Sequence, residues 1–326
     1  MKPNCLIIDD MHPSIIKILE ETGIETHYEP TITQEAIFEK IKDYEGIIVR
    51  GKIKLDKDFF KKATNLKYIG RAGAGKDNID LEVAESLGIT ILNAPEGNRD
   101  AVAEHVIGMI LNLLNKISGA DKEIRNRIWK REANRGVELG SQTVGVIGFG
   151  NTGREVAKRL TSFGCKVLAY DIRGIKYSEL GVIISSLENI FQEADIVSLH
   201  IPLDNHNRNL VNKDFFVKFQ KPIWLINTAR GEIVNTADLL EQIKIGKVLG
   251  AGLDVLENEK LETLSLPQKQ NFEDLIKLPN VLLTPHVAGW TFDSYRKISE
   301  VLGRKIALFY KVHLNQNLSK SPITPL

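Results

Sequence analysis

Short, mainly apolar runs recur along this 326-residue chain, with helical patterns between them. In the first part they fall at Cys5–Ile8, Gly46–Val49, Lys67–Gly70 and Thr90–Leu92. In the second they fall at Val144–Ile147, Lys166–Tyr170, Ile196–His200, Ile223–Asn227, Leu249–Leu253 and Val281–Thr284. A strand with one wet face alternates apolar and polar residues. These do not, so both their faces are covered. Patterns such as "HPSIIKILEET" and "TQEAIFEKIKDY" lie between the first runs and read as amphipathic helices. Strands interleaved with helices join as parallel βαβ units, so the fold class is α/β with doubly wound parallel sheets.

Two longer helical patterns frame the second part, at about Arg99–Lys122 and Phe292–Val312. The first carries Val102, His105, Val106, Met109, Ile110, Leu113 and Leu114 on one face. One helix enters the central domain and one leaves it, which returns the end of the chain to the first domain. The expected organisation is a discontinuous domain of residues 1–95 and 292–326 around a continuous domain of residues 96–291.

Composition removes several function classes. Lys and Arg number 43 and Asp and Glu 42, a formal net charge of +1, so no footprint for nucleic acid or an acidic membrane is present. The basic run "IRNRIWKR", Ile124–Arg131, reads as a solvated helix face. Cys5 and Cys165 sit beside apolar runs, outside metal or disulfide spacing, as buried thiols of a reducing compartment would. The start "MKPNCLIIDD" does not read as a signal peptide, and no run of about 18 apolar residues occurs. A cytoplasmic protein without a metal is expected.

After the run Val144–Ile147 come Gly148, Gly150 and Gly153, spaced G-x-G-x-x-G, and then a helical pattern. That context is the one a dinucleotide needs. The first glycine permits the tight turn, the second lets backbone approach a pyrophosphate, and the third packs helix on sheet. The helix N-terminus at Asn151 and Thr152 presents amides to the phosphates. A glycine-rich turn with no ligand remains the plainer reading of the glycines alone. Asp171 ends the next run, about 20 residues on, where a carboxylate bonds the ribose hydroxyls. Its charge favours NAD over NADP, and Arg173 close by pulls the other way.

Ligands of open α/β sheets sit at the carboxyl ends of strands. Arg230 follows one late run, Asp254 and Glu259 the next, and His286 the last. Histidine titrates near neutrality, a carboxylate fixes its tautomer, and a guanidinium grips a carboxylate by two bonds. Each has a plain alternative: a structural histidine, a solvated charge run around Glu259, a helix cap at Asp254.

The ordered set "GFGNTG", "YD", "NTARG", "GLDVLENE" and "TPHVAG" resembles the D-isomer-specific 2-hydroxyacid dehydrogenase family. The stretches "IIVRGK", "RAGAGKDNID" and "NAPEGNRDAVAEHVIG" look most like its phosphoglycerate dehydrogenase members. The resemblance implies a Rossmann NAD-binding domain inserted into a flavodoxin-like substrate domain, an active site in the cleft between them, and a homodimer. By motif, His286 is the acid/base, Glu259 its carboxylate partner and Arg230 the substrate anchor. Asn151, Thr152, Asp171, Ile201, Thr228, Asp254, and His286 to Gly289 including Ala288, line the NAD site, with Ala74 near the nicotinamide. Backbone amides at Ala74 and Gly75 hold the substrate carboxylate. Lys260 stands where members often have proline, and "LETLSLPQKQNFEDLIKL" lengthens the connection to His286. The regulatory amino-acid-binding domain of longer members is not expected after Asn315.

Arg50 and Lys52 follow a run of the first domain, where phosphoglycerate-specific relatives hold the phosphate; surface charge is the alternative. The implied reaction is NAD-dependent oxidation of 3-phosphoglycerate to 3-phosphohydroxypyruvate, in serine synthesis. A glyoxylate or hydroxypyruvate reductase is the alternative enzyme, and an NAD-sensing binding protein the alternative without catalysis. Trp129 reaches a neighbouring subunit or packs in the core.

Overall fold

The computed structural model describes residues 2–175 and 179–318, with side chains to residue 312. The chain forms two compact units, Met1–Asn98 with Thr291–Leu326, and Arg99–Trp290. The expected breaks, after residues 95 and 291, lie within a few residues of these. The end of the expected first domain, residues 319–326, falls outside the described residues.

The first unit holds β1 (Asn4–Ile7), β2 (Glu25–Tyr28), β3 (Gly46–Val49), β4 (Tyr68–Arg71) and β5 (Thr90–Asn93), all parallel, in the order β2-β1-β3-β4-β5. That is the flavodoxin-like order. Its faces alternate along each strand. Cys5 and Ile7 of β1 and Ile48 of β3 enter one buried cluster; Leu6 of β1 and Ile47 and Val49 of β3 enter the other. The closing helix, Phe292–Leu318, places Ile298, Leu302, Ile306 and Tyr310 on the first cluster, one turn apart. Each wholly buried Leu or Ile contributes roughly 1.5–3 kcal/mol, so this stripe is enough to hold the returning helix.

The second unit holds β6 (Thr143–Ile147), β7 (Lys166–Tyr170), β8 (Val182–Ile184), β9 (Ile196–Leu199), β10 (Ile223–Asn227), β11 (Val248–Leu253) and β12 (Val281–Leu283). Their order is β12-β11-β10-β9-β6-β7-β8, again all parallel. Strands grow outward from β6 in both directions, the Rossmann arrangement, with its switch point between β6 and β9. The fold class is therefore the one expected from the sequence.

Three elements differ from expectation. Strand β2 carries no apolar run and β8 is an apolar run of only 3 residues with two of them exposed; each lies at a sheet edge. The long helix expected at Arg99–Lys122 is two, Arg99–Asn115 and Ile117–Arg125, broken at Lys116 in the left-handed region with φ of 53°. "IRNRIWKR" is accordingly not one helix face, since the helix stops at Arg125. Cys5 and Cys165 are both free and buried, and burial lifts the Cys5 thiol to about 12, so it is inert. Among the described residues no helix is long and apolar enough to cross a membrane.

Candidate active site

The glycine loop joins β6 to the helix Asn151–Thr161. Gly148 turns with φ of +94° and donates its amide to the Tyr170 carbonyl at 2.8 Å. A Cβ there would come within 2.4 Å of the His200 carbonyl oxygen, and one at Gly153 within 1.9 Å of the Gly148 oxygen. These two glycines are required by the chain's own backbone. Gly150 is not: among the described residues a Cβ there would meet only Arg173 Nη2, at 3.8 Å. What a side chain at Gly150 would fill is the cradle at the helix N-terminus, where Asn151 is exposed and Thr152 half-buried. A pyrophosphate fits that space. Ile201, just past β9, packs against the same turn, its Cγ2 2.9 Å from the position of a Gly148 Cβ.

Asp171 follows β7. Its Oδ2 accepts the Phe149 amide at 3.0 Å, which ties it to the glycine loop. Arg173 closes on both oxygens at 3.0 Å and holds the carboxyl down at about 2. Farther along the sheet edge, Thr228 Oγ1, just past β10, is buried without a hydrogen-bond partner among the described residues. A buried hydroxyl left unpaired costs about 1–3 kcal/mol, and a ligand at this edge would satisfy it. The glycine cradle, the acid and the orphan hydroxyl thus fit a dinucleotide.

Asp254, at the end of β11, is wholly buried and is spent on the loop after β12. Its oxygens accept the Thr284 hydroxyl and the amides of Val287, at 2.9 Å, and Ala288, at 2.8 Å. Its own carbonyl accepts the His286 amide at 2.7 Å. Gly289 follows at the end of this clamped segment. His105, from the first helix of the unit, backs the clamp with Nε2 3.1 Å from Thr284 Oγ1 and 3.7 Å from Asp254. Its helical spacing alone had marked it only as part of an apolar face.

The clamp holds His286 in the left-handed region, φ of 54°, with its ring half-exposed. Its Nδ1 lies 2.9 Å from the Glu259 carboxylate, which places the imidazole proton on Nδ1 and turns Nε2 outward as the reactive nitrogen. The hydrogen bond to Glu259 raises the imidazole above its ordinary value; partial burial and the Arg230 charge oppose it. Arg230 follows β10 in extended conformation, its carbonyl held by the buried Asn227 amide at 2.9 Å. The insertion after Glu259 folds into the helix Leu266–Leu275, started by a Ser265–Gln268 capping box.

In the first unit Ala74 is exposed and Gly75 half-buried in the turn after β4, with Asn93 donating to the Ala74 carbonyl at 2.8 Å. Arg50 and Lys52 follow β3, and the Lys52 ammonium is held by the Pro30 and Ile32 carbonyls.

Residues 107–288 match the family model of the D-isomer specific 2-hydroxyacid dehydrogenase NAD binding domain. The chain belongs to the D-isomer specific 2-hydroxyacid dehydrogenase family. A D-3-phosphoglycerate dehydrogenase of Archaeoglobus fulgidus is 35% identical over 92% of this chain and 56% of its own length. The chain thus spans little more than half of that relative. A hydroxypyruvate reductase of Thermotoga maritima is 36% identical over 84% of this chain and 88% of its own. The fold matches a D-lactate dehydrogenase of Aquifex aeolicus solved with NAD and lactic acid, at a TM-score of 0.83 and 28% identity, covering 99% of this chain and 100% of that one. NAD is the family's cofactor, and residues 107–288 are its binding domain here.

Proposed function

We propose that this family member is an NAD-dependent dehydrogenase of a D-2-hydroxy acid, and that the acid is 3-phosphoglycerate. The observation that carries the reading is the His286–Glu259 pair, 2.9 Å apart, in the unit that also holds the glycine loop and Asp171. Bound NAD supplies the acceptor for the two electrons that leave the alcohol carbon. His286 Nε2 takes the hydroxyl proton in oxidation and returns it in reduction, and Glu259 stabilises the resulting imidazolium. Arg230 anchors the substrate carboxylate and polarises the carbonyl as it forms. Asn151, Thr152, Ile201, Thr228, Ala288 and Gly289 are assigned to the NAD site with Gly148, Gly150, Gly153 and Asp171, and Asp254 supports that site through the loop it holds. Ala74 and Gly75 are assigned to the carboxylate, Ala74 also to the nicotinamide, and Arg50 to the phosphate. Lys52, held on loop carbonyls, is left a supporting charge.

The alternative substrate, hydroxypyruvate or glyoxylate, is favoured by the Thermotoga maritima reductase, which the chain matches over most of that enzyme's length. Following NADH absorbance against phosphorylated and unphosphorylated 2-hydroxy and 2-oxo acids decides between them. Turnover with 3-phosphoglycerate above all others is expected; a preference for unphosphorylated acids overturns the substrate, and no turnover with any acid overturns the enzyme. The resemblance to phosphoglycerate dehydrogenases makes serine synthesis the expected pathway, and the buried free thiols fit a cytoplasmic protein.

A homodimer is supported by the helix Ile117–Arg125, which buries none of its residues and leaves Ile117 and Ile124 half-exposed, with Trp129 83% exposed just beyond. Light scattering is expected to return twice the chain mass; the mass of a single chain overturns the dimer.

A further inference from the structure

In the first unit, acids and aromatic rings at the ends of β1, β2 and β3 converge on Arg50. Asp9, past β1, accepts the Arg50 amide at 2.6 Å and the Gly51 amide at 3.3 Å on Oδ2, which ties the turn after β3 to the turn after β1. Asp10 receives a different tyrosine on each oxygen. Tyr28, the last residue of β2, donates to Oδ1 at 2.9 Å, and Tyr295, in the first turn of the closing helix, donates to Oδ2 at 3.0 Å. The Arg50 guanidinium lies over the Tyr295 ring, 5.6 Å from its centroid, with Nη2 3.9 Å from Met11 Sδ. His12 meets the same ring edge-on at 5.8 Å. Desolvation disfavours the guanidinium charge, and Asp9 and Asp10 offset that.

A guanidinium held over a ring is restricted in where it can point, and a planar fork held in place loses less entropy when it grips a tetrahedral anion. The two hydroxyls fix the carboxylate of Asp10, and through the Tyr295 ring the same bond fixes the surface on which Arg50 lies. We infer that Asp10, Tyr28 and Tyr295 position the Arg50 fork and so set the preference for a phosphate-bearing acid. This rests on the Arg50–phosphate contact proposed above. The three are positioning residues and touch no reacting atom.

A purely structural role, tying the closing helix to the sheet, would weaken turnover of every acid alike. A positioning role separates the acids. In Tyr295→Phe and Asp10→Asn the KM for the phosphorylated acid is expected to rise roughly five- to tenfold more than that for its unphosphorylated counterpart. Arg50→Lys keeps the charge and loses the plane, and is expected to give a loss of similar size. Combining it with Tyr295→Phe should add little, because both remove one arrangement. Equal KM changes for the two acids, or full additivity in the double variant, overturn the inference and leave the substrate reading standing. A parent enzyme without preference for the phosphorylated acid overturns the substrate reading itself.

Discussion

His286→Asn is expected to lower kcat by roughly 10²- to 10⁴-fold, the range for removing a positioned general acid–base. Asparagine is the informative replacement. The residue sits at φ of 54°, a conformation that asparagine adopts more readily than most residues, so the Asp254 clamp on the loop survives the change. The loss then belongs to the imidazole. NADH binding, read by its fluorescence, should persist, since the glycine loop and Asp171 lie on other strands. A companion, Glu259→Gln, tests the sign of the electrostatics. Glu259 raises the imidazole pKa. Oxidation needs the neutral ring and rises as pH passes upward through that pKa; reduction needs the protonated ring and falls there. Removing the carboxylate lowers the pKa, so both limbs of the kcat/KM profile should move to lower pH. A His286→Asn enzyme within tenfold of parent kcat sinks the acid–base assignment, and a profile that stays in place sinks Glu259 as the partner.

The parts of this molecule most legible in its sequence are those whose causes are local. A buried strand such as β3 announces itself because an unbroken apolar run has no other comfortable place. The glycine loop is legible because Gly148 needs its positive φ for the turn and Gly153 packs on the carbonyl of Gly148 in the same loop. The edge strands β2 and β8 are not, since "ETHY" and "VII" owe their conformation to one neighbour and to little burial. The site divides in the same way. His286 and Glu259 can be named as partners only through the family resemblance, because they stand 27 positions apart with no periodic signal that brings them together. The resemblance places Asp254 along the NAD site; its oxygens hold Thr284, Val287 and Ala288, a tertiary arrangement that a strand-end aspartate does not advertise. The ring under Arg50 comes from Tyr295, about three quarters of the chain length away. Such contacts depend on the fold's closure, which sequence spacing does not encode.

Gly231 shows the same limit, and carries the second large effect. It opens the short turn after Arg230, is buried, and needs no unusual φ, so nothing in its own conformation demands glycine. The demand is steric. A Cβ at Gly231 would lie 1.9 Å from the Leu256 carbonyl carbon and oxygen and 2.6 Å from the Glu257 amide nitrogen. These are backbone atoms between Asp254 and Glu259, and they have no rotamer by which to retreat. In Gly231→Ala either the Arg230 turn or the segment carrying Glu259 must therefore move. A shift of about 1 Å at reacting groups costs on the order of 10²-fold in rate, and overpacking of this kind costs about 1–3 kcal/mol in stability. The variant should accordingly lose both kcat and several degrees of Tm, by about 2–4 °C per kcal/mol for a domain of this size. The two losses discriminate. Lower Tm with parental kcat would mean that the displacement is absorbed away from Arg230 and Glu259, and parental values of both would mean that the close approach is not rigid. Loss of kcat with NADH binding retained would locate the damage where the argument puts it, in the spacing between the guanidinium and the carboxylate that supports His286.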